Sequence, residues 1–325
     1  MSVFQLEAQV TTVGAEAVTP VVPVMNIVYA AIVAVLLVGS GIAGFVILKR
    51  HAESWGNALV YGLLAGVGFI ALVPMLLSAL LTLVPAWADY LTTNDSANQY
   101  ISLGLQFVVT LAAFTVGMIL LKRSSERTHQ KLNLSSGIMF GFGIFLVGIF
   151  IGQQLSFCAQ YIPFALSVNR AGYDATIEAA MEAGMTEAEA ADYLKNIAGV
   201  IDSGFVFTAV AFLFKGVIKI FAGGVSYGLI TGKLPKQLYA WLVAAVVILF
   251  GVDAVFYTVQ AGNLAYMILM AAFAAVYAVI SVMIFKKHLP DEWDDFKAVK
   301  KGSTSGFPRK DNTPKKMPKI EMPKE

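Results

Sequence analysis

The sequence predicts an all-α polytopic membrane protein, a bundle of seven transmembrane helices with an external helical hairpin and a disordered cytoplasmic tail. Three observations predict it. Seven apolar stretches are each long enough to cross a bilayer core, which needs roughly 20 residues of helix. The basic residues that flank them gather on one side. Across 325 residues, 58% are hydrophobic and only 14% charged, far from the balance of a soluble domain.

The expected spans are 25–48, 56–84, 101–121, 133–158, 204–230, 238–258 and 264–285. They show no period-two alternation and are too long for barrel strands, so they are helices. Within the bilayer a helix satisfies its own backbone polar groups. Residues 25–287 thus form one membrane domain without an evident internal repeat.

Orientation is read from Lys and Arg. The first 24 positions hold neither, whereas Lys49 and Arg50 follow the first span and Lys122, Arg123, Arg127 and Lys131 the third. Lys233 and Lys236 follow the fifth span, and Lys286 and Lys287 the seventh. The alternate loops are acidic, with Asp89 and Asp95 in one and Asp174, Glu178, Glu182, Glu187, Glu189, Asp192 and Asp202 in 159–203. The expectation is a cell-membrane protein with residues 1–24 and the N-terminus outside and the C-terminus cytoplasmic. No basic region precedes the long first span, so a cleaved signal peptide is not expected.

The external loop 159–203 reads as a helical hairpin over the outer mouth of the bundle, as a lid, a docking site or a connector. Its first helix runs from Asp174 to Ala183 and closes at Gly184; Thr186 and Glu189 form a capping box for a second, ending near Asn196. The tail 288–325 is rich in Lys and Pro and reads as disordered. Its lysines fix topology, or rest on anionic lipid or rRNA; no specific nucleic acid is expected. Cys158, the single cysteine, precludes an intrachain disulfide.

Glycines spaced by four, Gly137/Gly141 and Gly148/Gly152, let helices approach closely. Packing inside the bundle accounts for them, with a homodimer or another membrane protein as the alternative partner.

Intramembrane charge is expensive and marks candidate sites. Lys215 and Lys219 lie one turn apart in the fifth span. If that helix covers 204–230, Lys215 sits near mid-depth and Lys219 reaches toward the cytoplasmic interface. Asp253 in the sixth span is the expected partner of Lys215, as a structural ion pair or a proton or ion relay. Gln153 and Gln154, with Ser156 and Gln160, give the fourth span a polar outer end, and Gln106, Thr110 and Thr115 place polar groups on the third. These residues bond across helices or line a cavity for a polar ligand.

Several chemistries lack their residues. The only histidines, His51, His129 and His288, lie at the cytoplasmic ends of spans, and no predicted span holds a His or Glu. A membrane zinc protease or a rhomboid-type serine protease therefore has neither ligands nor base. Asp202 and Asp253 do not sit in the Gly-x-Gly-Asp context of aspartyl membrane proteases, and Gly223–Gly228 lacks the Lys of a phosphate loop. No metal or cofactor is expected.

Four segments carry a family resemblance: LKRHAESWGNALVYGLLAGV at 48–67, GIMFGFGIFLVG at 137–148, FALSVNRAGYD at 164–174 and LFGVDAVFYTVQAG at 249–262. Over most of 25–287 the chain resembles the YhfC-like family of intramembrane metalloproteases, relatives of the CAAX-prenyl-protease type. The resemblance implies a metalloprotease-like bundle. Its catalytic residues are missing: Ile144 and Leu249 stand at histidine positions, Gly148 near a glutamate, and the third span lacks a Glu-Glu pair. Asp253 matches the family's aspartate, and Lys215 falls near the basic half of a Glu-Arg pair. The reading is a protein without peptidase activity that binds a membrane segment, lipid or small ligand within the bundle. A small-molecule or ion transporter and an accessory subunit of a larger complex are the alternatives.

Overall fold

A computed structural model describes residues 21–51, 55–84, 90, 93–151, 153–259 and 262–298. It is all-helical. Its helices are α1 (Val24–His51), α2 (Trp55–Leu83), α3 (Asp95–Arg127), α4 (Leu134–Phe150), α5 (Gln153–Ala171), α6 (Tyr173–Glu182), α7 (Glu187–Val200), α8 (Ser203–Ile230), α9 (Tyr239–Val259), α10 (Asn263–His288) and α11 (Pro290–Lys297). Among the described residues, seven helical stretches are long and apolar enough to cross a membrane, with α4 and α5 together in the fourth.

The outward faces show which solvent these helices fit. Val35, Leu64, Met75, Val108, Val279 and Met283 are all more than half exposed. A water-soluble monomer rarely exposes so much contiguous apolar surface. This is an integral membrane protein whose flanks contact the lipid bilayer.

The centre of the bundle is α4, which is buried along nearly its whole length between α2 and α8. Glycine makes both contacts possible. A Cβ on Gly143 would come within 2.7 Å of the Leu59 carbonyl oxygen of α2, and one on Gly137 within 2.5 Å of the Tyr227 side chain of α8. A Cβ on Gly62 would run into the Phe140 carbonyl and one on Gly141 into the Lys219 carbonyl. These four glycines are engaged within the chain. Gly152 lies outside the described residues.

Polar ties fix the register of the outer helices. Ser226 donates to the Phe114 carbonyl at 2.6 Å, joining α8 to α3. Trp241 stacks on Tyr277 at 4.8 Å and donates to Ser281, joining α9 to α10. Lys122 donates to the Ile230 carbonyl, one of the last free acceptors of α8.

The fourth span and the tail differ from expectation, while the hairpin forms as expected. The fourth span was expected to end at 158, but helix resumes at Gln153 and continues to Ala171 despite its polar start. The hairpin forms with the expected capping box, Thr186 with Glu189, and with Gly184 at φ +96°. It packs on α5, where Tyr193 meets Phe164 edge to face, rather than among the helices that line the cavity described below. Finally, 290–297 was read as disordered and is a helix, α11. Pro290 at its first turn, acidic residues after it, and Trp293 and Phe296 on one face account for it. Residues 1–20 and 299–325 lie outside the described residues, and the expectations for them with them.

Candidate functional site

Five polar residues of the membrane domain meet in a cavity of about 170 Å³ lined by α2, α3, α4, α8 and α9. Lys215, Lys219, Asp253, Gln106 and Thr110 line it, with Phe69, Ile144, Phe212 and Leu249 among its apolar walls. Lys215 is close to the midpoint of the 28-residue α8. Its ammonium donates to both carboxylate oxygens of Asp253, at 2.7 and 2.6 Å. The two side chains are only 17% and 24% exposed.

A third member comes from α10. The Tyr266 hydroxyl donates to Oδ1 of Asp253 at 2.6 Å, and its ring lies 5.6 Å from the Lys215 ammonium. Both oxygens of the carboxylate are thus occupied, and Lys215–Asp253–Tyr266 forms a neutral, hydrogen-bonded unit. Nothing in the sequence singled out Tyr266, one of several tyrosines in apolar helices.

Lys219 departs from expectation. Instead of reaching for the far interface it turns back along α8, and its ammonium lies 5.6 Å from the centre of the Phe212 ring. Side chains of a helix lean toward its N-terminus, which makes this route short. No carboxylate among the described residues lies within 4 Å of it. A desolvated cation–π contact is worth about 2 kcal/mol or more. A lysine at the centre of a membrane helix costs about 2.5–3.5 kcal/mol. Beside the Lys215–Asp253 pair, whose charges cancel, the Lys219 ammonium leaves the cavity with one net positive charge.

The cavity has a polar approach. Asn98, Ser102, Gln106 and Thr110 are spaced by four on α3 and share one face. Gln106 donates to the Ser102 hydroxyl at 3.2 Å. Gln106 also lines a second, wider opening of about 620 Å³ with Asn98, Gln99, Ser102 and Tyr257. The stripe leads from the end of the bundle that carries Asn94 and Asp95 down to the buried charges.

Of the expected site residues, the fold brings Lys215, Asp253 and Gln106 together. Gln154 lies on α5, away from this cavity, with its Oε1 buried and unpartnered among the described residues. Gln153 opens α5, and its side chain lies outside the described residues. Thr115 donates to the Leu111 carbonyl on its own helix. No three His, Cys, Asp or Glu side chains are grouped to hold a metal ion among the described residues. Comparisons with protein families, curated proteins and solved structures find no match for the chain.

Proposed function

We propose that this membrane protein binds a small anionic ligand inside its bundle and has no peptidase activity. The observation that carries the reading is Lys219, a cation at depth with no carboxylate within 4 Å among the described residues, facing the same cavity as the neutral Lys215–Asp253–Tyr266 unit. An anion there offsets the cost of the buried charge by pairing with it.

The resemblance to YhfC-like proteases fits this reading. Ile144 and Leu249, at the positions where that family carries histidines, line one cavity with Asp253 and Lys215. An apolar pair in place of two imidazoles leaves no metal ligands at the centre of that site. The proposal is a protease-like bundle whose former active-site cavity serves binding.

Transport of the bound species is a second reading. It is favoured by the Asn98–Ser102–Gln106–Thr110 stripe, which gives a polar ligand a way in from one end. Titrating the detergent-purified protein with acetate tests the binding site. Acetate is expected to raise the melting temperature of the native chain and to leave Lys219→Met unchanged. Equal shifts in both, or no shift in either, overturn the anion site.

A further inference from the structure

The buried cavity shares two wall residues, Phe69 and Ala113, with a larger groove of about 360 Å³ between α2 and α3. The groove is apolar. Leu64, Gly68, Val116 and Leu120 line it, and Leu64, Val116 and Leu120 are about half exposed on the flank that faces lipid. Along α3 it runs from Val109 to Leu120, about 16 Å at the rise of an α-helix.

Resting on the anion-binding reading above, we propose that the ligand is a long-chain fatty carboxylate drawn from the bilayer, its carboxylate at Lys219 and its single hydrocarbon tail in the α2–α3 groove. Charge and size select it. One uncompensated ammonium matches the single charge of a carboxylate, whereas a phosphate monoester carries up to about two. A cavity of about 170 Å³ is small for the branched head of a two-chain lipid. One apolar groove adjoins it at Phe69 and Ala113, and a groove of that size takes one tail. The tail leaves bilayer hydrocarbon for the groove, so its gain over a tailless acid is the packing contact it makes there, and that contact grows with chain length while the groove lasts.

Gly68 supplies the decisive variant. A Cβ built there meets nothing within 4 Å, so Gly68→Leu fills the groove without a clash at the backbone. Binding of acetate, octanoate, laurate and dodecanol is measured by calorimetry on the full chain in lipid nanodiscs, with protein-free discs as the blank. Laurate is expected to bind the native protein at least about tenfold more tightly than acetate, and dodecanol not to compete with it. Gly68→Leu is expected to weaken laurate about tenfold and to leave acetate unchanged. Leu120→Trp, which shortens the groove at its far end, weakens laurate but not octanoate and serves if Gly68→Leu folds poorly. Lys219→Met loses both acids. Equal affinity for acetate and laurate, laurate binding that ignores both groove variants, or competition by dodecanol overturns the tail placement and leaves the anion site standing. If no acid binds the native protein, or Lys219→Met binds them unchanged, the anion site fails and this inference with it.

Discussion

The carboxylate of Glu292, on the short helix that follows the last span, accepts a hydrogen bond from the backbone nitrogen of Leu134 at 2.7 Å. Leu134 opens α4, where unpaired N–H groups and the helix dipole favour an anion. Asn133 caps the same turn by accepting from the Ser136 nitrogen, and Glu292 also accepts from the Tyr227 hydroxyl and from Lys233. One tail residue thus joins α4, α8 and the loop after it. Replacing it leaves buried donors unpaired, at about 1–3 kcal/mol. Glu292→Ala is expected to lower the unfolding free energy by that amount and Glu292→Gln by less, since the amide oxygen still accepts.

Lys215 and Asp253 give a second test. Removing one partner of a buried pair typically costs about 3–5 kcal/mol, while replacing both with apolar groups is often tolerated. Lys215→Met and Asp253→Leu are each expected to destabilise the solubilised protein more than the double substitution. Additive losses in the cycle would mean that the two do not interact.

The glycine contacts predict a contrast between two alanines. Gly62→Ala drives a methyl into the backbone of α4 and is expected to cost about 1–3 kcal/mol, as overpacking does. Gly39→Ala, where a Cβ meets nothing within 4 Å, is expected to be neutral or slightly stabilising. Similar losses at both sites would contradict the close approach of α2 and α4.

Acid should loosen the start of α7. The Glu189 carboxyl is held below its ordinary value by hydrogen bonds from the Thr186 backbone N–H and hydroxyl. A depressed value in the folded state means stability present above the unfolded value, near 4.5, and lost as pH falls through the folded one. Amide exchange at the first turn of α7 is expected to accelerate, relative to the intrinsic rate, in that acidic window. Glu189→Gln should flatten the dependence; the same acceleration in that variant would show another group at work.

Orientation is open to direct measurement. A reporter fused after Lys287 is expected to read as cytoplasmic and one inserted at Gly184 as external, following the basic residues. The reverse at either position sinks the proposed topology.

The bundle was legible because membrane spans advertise themselves over twenty residues at a time, and the Lys215–Asp253 pair because charge is rare there. The capping box at Thr186 and Glu189 was equally plain. Less legible was α5, whose opening glutamines resemble the end of a span. The helix at Pro290–Lys297 was hidden by the Lys- and Pro-rich sequence after it, although Trp293 and Phe296 three apart were a usable signal. The heading of the Lys219 side chain had only a weak signal. The lean of helical side chains toward the N-terminus favours the observed route, but a long lysine can also snorkel to the interface, and the packing of Phe212 and Gly148 beside it decides.

The 38 residues that separate Lys215 from Asp253 also set a problem in biosynthesis. As the chain is made, α8 reaches the bilayer with two ammonium groups before its counter-charge has left the ribosome. Its aromatic and aliphatic residues must carry it in alone, or it must wait beside the translocon until α9 follows. The ion pair therefore makes α8 and α9 partners in insertion as well as in the finished fold, and a chain that stops short of Asp253 would present quality control with a span bearing two unanswered charges.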